Sequence, residues 1–150
     1  MPLLERLNEP EMTGHLGGPE TPAQLKSRLE RYVAAQTETA CMFRVMVDGA
    51  PAGSIGFWER EWRGVPVYET GWSVLPEYQG RGVASRALEL LLPLARVAGK
   101  HDAMHAFPGV ENGPSNAICR KAGFELIGPV EFEYPKGHWA TSNDWRLRLR

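Results

Sequence analysis

The sequence is poor in cysteine, nearly balanced in charge and free of long apolar runs. Its 150 residues include only two cysteines, Cys41 and Cys119, which are too few for a disulfide framework. We therefore expect a cytoplasmic protein. The 17 basic and 18 acidic side chains give a net charge of −1, which offers no footprint for nucleic acid or an anionic membrane. No apolar run reaches the length of a membrane span, and the first residues lack a signal-peptide pattern, so we expect no membrane association.

Metal-ligand spacing is also missing from the sequence. His101, His105 and Cys119 are the nearest approach to a ligand set. Their separations differ from those of zinc sites, so we expect no metal.

The pattern of apolar residues and turns predicts a single α+β domain over residues 1–150. Thr21 and Gln24 form a capping box that begins a helix. Asp48-Gly49 and Arg63-Gly64 are hairpin signals, so the strands beside them should form an antiparallel meander. The predicted elements are helices at 2–12, 22–35, 83–98 and 114–122 and strands at 41–47, 52–59, 67–75, 102–107, 124–134 and 143–149. They predict a mixed, mainly antiparallel sheet flanked by helices.

A glycine-rich loop joins the third predicted strand to the next helix, with Gly80 and Gly82 at its centre. A helix N-terminus leaves backbone N–H groups without partners and carries a partial positive charge. Glycine lets that backbone approach a bulky anion, because no Cβ intervenes. The sequence therefore predicts a pyrophosphate site at the carboxyl end of this strand.

Known phosphate loops match this stretch only in part. The NTPase P-loop has a lysine and a hydroxyl residue after its last glycine, where this chain has Val83 and Ala84. A Rossmann fingerprint would lack its third glycine, since Ser85 stands there, and Asp102 begins a strand instead of ending one. An ordinary strand-to-helix turn without a ligand is the third interpretation.

Two motifs in the sequence resemble those of the GNAT N-acetyltransferases. Gln79-x-x-Gly82-x-Ala84 is similar to the acetyl-CoA signature Q/R-x-x-G-x-G/A, and the stretch from Asn112 to Phe124 matches N-x-x-S-x5-K-x-G-F. Both occur in the family's order and spacing, and the resemblance covers about residues 39–150. It implies the GNAT fold, acetyl-CoA as cosubstrate and transfer of acetyl to a primary amine of a small molecule or protein. That fold usually begins with a strand, for which residues 1–7 leave little room. Three alternatives stay open: the first strand is absent, the recorded start is shortened, or the sheet edge is covered in another way.

The resemblance assigns the cofactor contacts. In it, a backbone N–H near Val74 or Leu75 stabilises the oxyanion of the tetrahedral intermediate. Asn112 resembles the asparagine that bonds the pantetheine amides, and Ser115 would lie near the phosphates. Asn116 could share either role or help to cap its helix. The residues implied in cofactor binding are Val74, Leu75, Gln79, Gly80, Arg81, Gly82, Val83, Ala84, Asn112 and Ser115.

Catalysis of amine acetylation needs a general base. A lysine-like amine with a pKa of about 10 is almost wholly protonated at neutral pH, so a group that removes its proton contributes to the rate. Glu69 is the candidate, because it lies close to where a strand glutamate serves as base in several GNAT enzymes. The alternative is a solvated or ion-paired glutamate.

The candidate general acid departs from the family pattern. Many GNAT enzymes have a tyrosine five residues before the phenylalanine of the second motif, and here that residue is Cys119. Its thiol could donate a proton to the departing thiolate, or act as a nucleophile in a ping-pong route, or simply be a small buried side chain. His105 is a second acid–base candidate, with a hydrogen-bonded strand histidine as its alternative.

The acceptor amine is the least defined partner. Aromatic and acidic side chains suit a cationic amine, although five tryptophans could equally form the core. The candidates are Trp58, Glu59, Glu61, Trp62, Tyr68, Glu69, Trp72, His138 and Trp139. Many GNAT proteins pair as homodimers, and uncovered sheet edges are compatible with this. Two alternatives stay open: a GNAT-fold module that holds CoA without turnover, and a nucleotide-binding oxidoreductase half-domain.

Overall fold

The computed structural model describes residues 2–9, 12, 19–34, 39–133 and 136–150. One turn of 3₁₀ helix at Pro76–Tyr78 follows the third strand. The helices are α1 (Pro2–Leu7), α2 (Pro22–Ala34), α3 (Val83–Ala98) and α4 (Gly113–Lys121). The strands are β1 (Ala40–Val47), β2 (Ala50–Trp62), β3 (Val65–Val74), β4 (Ala103–Ala106), β5 (Glu125–Glu133) and β6 (Trp139–Arg148). None of the helices in these ranges is long and apolar enough to cross a membrane.

The two N-terminal helices are fixed by side-chain caps. The predicted capping box begins α2, since the Thr21 N–H donates to Gln24 Oε1 at 2.8 Å and the Gln24 N–H to Thr21 Oγ1 at 3.2 Å. The first helix is shorter than predicted and ends at Leu7. The amide of Asn8 instead pairs with the backbone of Glu20, donating to its carbonyl at 2.7 Å and accepting from its N–H at 2.6 Å. This pair joins the end of α1 to the start of α2.

Six strands form one sheet in the order β1-β2-β3-β4-β6-β5. The meander β1-β2-β3 is antiparallel, as predicted, and both hairpin turns have positive φ at their two central residues: Asp48 (50°), Gly49 (79°), Arg63 (52°) and Gly64 (79°). The predicted α+β class, with a mixed, mainly antiparallel sheet flanked by helices, is confirmed. Residues 2–9 and 19–34 contain no strand, so β1 is an edge of the described sheet.

Strands β2 and β6 are longer than predicted. β2 runs to Trp62 because its ladder with β3 continues to the pair Trp62 and Val65, next to the turn. β6 begins at Trp139, where a loop was expected, because Trp139 pairs with Glu133 of β5. Partner strands supply these hydrogen bonds, so the local sequence does not predict that β2 and β6 include these additional residues.

The sheet opens between its two central strands. The parallel pairing of β3 with β4 includes only Tyr68 with Met104 and Glu69 with His105. β3 continues to Val74, whereas β4 ends at Ala106. The strands therefore diverge beyond Glu69, and a cleft forms between them.

The apolar core lies between the sheet and α3. Leu88, Leu91 and Ala95 of α3 are buried against Phe57 and Tyr68 of the sheet. Because side chains alternate along a strand, Trp58, Arg60 and Trp62 of β2 point to the opposite face. This second face carries the polar residues of the candidate site.

Candidate active site

The glycine-rich loop exposes backbone at the N-terminus of α3. Gly80 has a φ of 72° and Gly82, the N-cap residue, a φ of 75°, which are left-handed conformations that favour glycine. A Cβ added at either glycine would meet no atom within 4 Å, so both face open space. The first turn of α3, which includes Val83 and Ala84, contains no acidic residue. This backbone surface suits an anion.

Gln79 holds the loop against the end of β3. Its Nε2 donates to the carbonyl of Val74 at 2.8 Å. Arg81 is exposed, with its guanidinium 5.5 Å from the centre of the Tyr78 ring. Gln79 thus shapes the loop through the protein backbone, while Arg81 adds a positive charge at its surface.

The cleft between the diverging strands is a cavity of about 260 Å³. Trp72 and Ser73 line it on the side of β3, and Pro108, Gly109 and Asn112 on the side of the chain that follows β4. One edge of β3 is therefore available to a ligand that enters the cleft.

The strand ladder decides which of the two candidate oxyanion donors faces the cleft. The Leu75 N–H donates to the Ala52 carbonyl at 2.7 Å and so belongs to the pairing with β2. Successive N–H groups of a strand point to opposite edges, so the Val74 N–H points towards the diverging side. Of the two residues expected from the sequence, only Val74 directs its N–H to the cleft.

The start of α4 forms the other wall of the cleft. Asn112 caps this helix, since its Oδ1 accepts from the Ser115 N–H at 3.2 Å. Ser115 Oγ accepts from Trp72 Nε1 at 3.3 Å, and both residues line the cavity. The Trp72–Ser115 bond ties α4 to β3 across the cleft.

The side chain of Asn116 joins three segments of the chain by hydrogen bonds and does not cap its helix. Its Nδ2 donates to the carbonyls of Gly109 at 2.9 Å and Asn112 at 2.7 Å. Its Oδ1 accepts from Asn143 Nδ2 at 2.9 Å and Trp145 Nε1 at 2.8 Å. The buried amide thus makes four hydrogen bonds, which hold α4 and the preceding loop against β6.

Glu69 lies where the strands begin to diverge, and it lines the cavity while only 8% exposed. Its Oε1 accepts from Arg60 Nη1 at 2.9 Å. Burial raises the pKa of Glu69, an effect that the charge and hydrogen bond of Arg60, a hydrogen bond from Trp58 and the charge of His105 partly oppose. A carboxyl group with raised proton affinity at a cleft has the properties of a general base.

Aromatic rings surround the Arg60–Glu69 pair. The guanidinium carbon of Arg60 lies 4.5 Å from the ring centre of Phe132, 5.6 Å from that of Phe107 and 5.4 Å from that of Trp62. These ring contacts and the ion pair hold the Arg60 guanidinium next to the Glu69 carboxylate.

Only three of the nine acceptor candidates line the cavity: Trp58, Glu69 and Trp72. Tyr68 is fully buried, Trp139 is exposed, and Glu59 pairs with His101 at 2.7 Å. Sequence reasoning missed several lining residues, because helix packing and strand register bring them together. These are Leu4, Leu7, Glu20, Arg28, Met42, Phe107 and Phe132.

Cys119 lies in the core and not in the cleft. It is fully buried, and burial raises the pKa of its thiol to about 12. Cys119 is not among the residues that line the cavity. These properties argue against the roles of general acid and nucleophile and favour a small buried side chain.

Comparison with known proteins identifies the architecture. The family model of the acetyltransferase (GNAT) domain matches residues 1–125. None of the curated proteins compared with the chain matches it significantly.

Solved structures resemble the chain over nearly its whole length. The proposed acetyltransferase yncA of Salmonella typhimurium, solved with its cofactor acetyl-CoA, is 23% identical with a TM-score of 0.78 over 99% of this chain and 87% of its own. The ribosomal-protein-alanine N-acetyltransferase of Brucella melitensis is 22% identical with a TM-score of 0.79 over 98% and 92%. Microcin C7 self-immunity acetyltransferase MccE, in complex with acetyl-CoA and AMP, is 20% identical with a TM-score of 0.78 over 97% and 83%. At these identities the likeness concerns the fold.

Proposed function

Because the chain belongs to the GNAT acetyltransferase family, we propose that it transfers acetyl from acetyl-CoA to a primary amine of a small molecule or protein. One observation carries this proposal above the others. β3 carries the buried Glu69 carboxyl where the cleft begins, and the glycine-rich loop follows the other end of the same strand, where Gln79 donates to the Val74 carbonyl.

The residues present fit the cosubstrate. Acetyl-CoA would supply an activated acetyl thioester and a pyrophosphate. The backbone of Gly80, Gly82, Val83 and Ala84 would hold the pyrophosphate, because both glycines face open space and the helix N-terminus favours an anion. Along the cleft, Asn112 and Ser115 lie opposite β3 and would flank the pantetheine arm.

Glu69 would act as general base for direct attack by the amine. It takes the proton from the acceptor nitrogen, directly or through a water, and becomes a neutral carboxylic acid. The raised pKa of the carboxyl suits this task at neutral pH, because burial makes Glu69 a stronger base than an exposed glutamate. The Val74 N–H, which points to the cleft, would stabilise the oxyanion of the intermediate, an effect of about 3 kcal/mol for a preorganised donor.

A cationic acceptor suits the cavity wall. Three carboxylates, those of Glu20, Glu69 and Glu111, line it, and two of them pair with arginines, Glu20 with Arg28 and Glu69 with Arg60. Trp58 and Phe107 add aromatic surface that favours a cation. The Brucella melitensis neighbour, by name an N-acetyltransferase of a ribosomal protein alanine, gives further support for an amine acceptor.

A cytoplasmic site of action and pairing into homodimers complete the proposal. Cys41 and Cys119 are not joined by a disulfide, which suits a reducing compartment. The edge strand β1 is compatible with pairing between copies.

One observation favours a second candidate, a GNAT-fold module that binds CoA without turnover. Cys119 occupies the position where many members of the family have a tyrosine, and it is buried away from the cleft. Release of free CoA thiol in the presence of a panel of primary amines separates the candidates, because a binding module releases none.

Titration calorimetry with acetyl-CoA tests whether the glycine-rich loop binds the pyrophosphate. Gly82→Asp adds a side chain and a negative charge where the pyrophosphate would lie, so we expect at least about tenfold weaker binding, or about 1.4 kcal/mol. Gly64→Asp is the matched control, because Gly64 has a φ of 79° and an added Cβ there also meets no atom within 4 Å. Equally weakened acetyl-CoA binding in both variants would contradict pyrophosphate binding by the glycine-rich loop. If the parent protein binds no acetyl-CoA, the likeness is one of fold alone.

A further inference from the structure

A buried histidine–aspartate pair, His105 and Asp144, lies on the strands next to Glu69 in the sheet. His105 Nδ1 is 2.5 Å from Asp144 Oδ1, and the two residues are 6% and 1% exposed. The other carboxylate oxygen, Oδ2, accepts from Trp62 Nε1 at 3.1 Å. The His105 ring stacks on Phe107, with ring centres 5.7 Å apart and planes 13° apart. The imidazole is thus held in one orientation by its ring contact and by Asp144.

The pair adjoins the candidate base. Glu69 and His105 are register partners in the short parallel ladder of β3 and β4, at the point where the cleft begins. Partner strands lie about 4.8 Å apart, so the two side chains stand next to each other on one face of the sheet. Burial raises the pKa of Glu69, and the charge of His105 is the smallest of the effects that oppose this rise.

The charged groups that face His105 come from three strands. They are Arg60 of β2, Glu69 of β3, and Asp144 and Arg146 of β6, since Arg146 is the register partner of His105. Arg146 also lies 3.5 Å from the exposed Glu125. The buried part of this cluster therefore contains two carboxylates, those of Glu69 and Asp144, and one guanidinium, that of Arg60.

The tautomer follows from the pair geometry. A nitrogen and an oxygen 2.5 Å apart need a proton between them, and an ionised Asp144 can only accept it. The proton therefore stays on Nδ1, and Nε2 is the basic nitrogen of the neutral ring.

We propose that His105 is a positioning residue that receives from Glu69 the proton that Glu69 takes from the acceptor amine. This inference rests on the proposed function of Glu69. In the first transfer an N–H bond of the acceptor breaks and an O–H bond of Glu69 forms. In the second, that O–H bond breaks and an N–H bond forms at Nε2 of His105. Glu69 returns to its carboxylate form beside Arg60, and Asp144 stabilises the imidazolium.

The chain contains a matched control for this pair. His101 also lies next to a carboxylate, with Nε2 2.7 Å from Glu59 Oε2. Glu59 is adjacent to Trp58 in β2 and so points to the opposite face of the sheet, and neither His101 nor Glu59 lines the cavity. A merely structural histidine–carboxylate pair should behave like His101.

The first test needs no acceptor. The ring resonances of the histidines are followed by NMR against pH in the parent, in Glu69→Gln and in Asp144→Asn. If His105 exchanges a proton with Glu69 and is held by Asp144, its titration curve should move in both variants, whereas the curve of His101 should not. A His105 curve that does not move in Glu69→Gln overturns the relay.

The second test is kinetic. With an amine that the parent acetylates, His105→Gln should lower kcat roughly 10- to 100-fold and alter the acid limb of the pH profile, while the affinity for acetyl-CoA is unchanged. His101→Gln should match the parent in both. Equal kcat and pH profile in His105→Gln and the parent, with Glu69→Gln inactive, overturns the relay and leaves the proposed function intact. A parent without turnover of any amine contradicts the proposed function and the relay together.

A milder variant keeps the test decisive if His105→Gln does not fold. Trp62→Phe retains an aromatic ring and removes only the N–H that Asp144 Oδ2 accepts. We expect a kcat several-fold lower with an altered pH profile. An unchanged profile, together with an unchanged His105 titration curve in Glu69→Gln, overturns the proposal.

Discussion

The side chain of Gln79 donates a hydrogen bond to the carbonyl of Val74, 2.8 Å away across the turn between β3 and α3. This bond joins the glycine-rich loop to the strand residue whose N–H points into the cleft. One amide thus fixes the loop relative to the candidate oxyanion donor.

Loss of this bond should weaken acetyl-CoA binding without affecting the fold. Gln79→Met keeps the length of the side chain but removes the donor, and a hydrogen bond of this kind contributes about 1 kcal/mol. We therefore expect roughly fivefold weaker binding by titration calorimetry. Gln24→Met is the control, because Gln24 caps α2 and should change the melting temperature but not the affinity. Unchanged affinity in Gln79→Met would show that the loop keeps its shape without this bond.

Glu69 should make stability depend on pH in an unusual direction. Burial raises its pKa above the ordinary value of 4.5, so the folded state binds this proton more tightly than the unfolded state does. Its contribution to stability is therefore present below about pH 4.5 and is lost as the pH rises through the raised pKa. We expect the melting temperature of Glu69→Gln, relative to the parent, to increase between pH 4 and 7.

Glu77 provides a control of opposite sign for that experiment. A hydrogen bond from Arg6 lowers the pKa of this exposed carboxyl, so its contribution is present above the ordinary value and is lost as the pH falls. The melting temperature of Glu77→Gln, relative to the parent, should decrease as the pH rises from the lowered pKa towards 4.5 and then stay constant up to pH 7. A parallel response of the two variants would contradict the raised pKa of Glu69.

Cys119 should be dispensable for chemistry. We expect Cys119→Ala to keep kcat within about threefold of the parent, whereas loss of a general acid costs roughly 100-fold or more. The smaller side chain should lower the free energy of unfolding by about 1 kcal/mol, because it leaves a small void in the core. Initial rates and urea unfolding measure the two effects. A loss of kcat by a factor of about 100, with stability retained, would return Cys119 to the mechanism.

Asn116 should matter for stability more than its neighbour Asn112. Asn116→Ala removes four hydrogen bonds and leaves buried partners unsatisfied, so we expect a loss of about 2–4 kcal/mol in the free energy of unfolding. Asn112→Ala removes one helix cap, which costs about 1 kcal/mol. Urea unfolding of both variants gives the comparison. Equal losses of unfolding free energy would contradict the structural role assigned to Asn116.

Local signals in the sequence determined the elements and the glycine-rich loop. The capping box at Thr21 and the turn at Asp48-Gly49 depend on residues that are neighbours in the chain. The left-handed conformations of Gly80 and Gly82 are likewise a property of the local backbone. Such features appear in the sequence because chain neighbours are in contact in any fold.

Tertiary structure alone decided the surroundings of the candidate base. Arg60 lies beside Glu69, and His105 beside Asp144, because strands far apart in sequence pair in a particular register. A shift of one residue would turn each side chain to the opposite face, and no local pattern specifies that register. The burial of Cys119 also depends on how α4 packs against the sheet. Contacts between distant segments are set by the packing of the whole core, so only the folded structure shows which groups meet at the cleft.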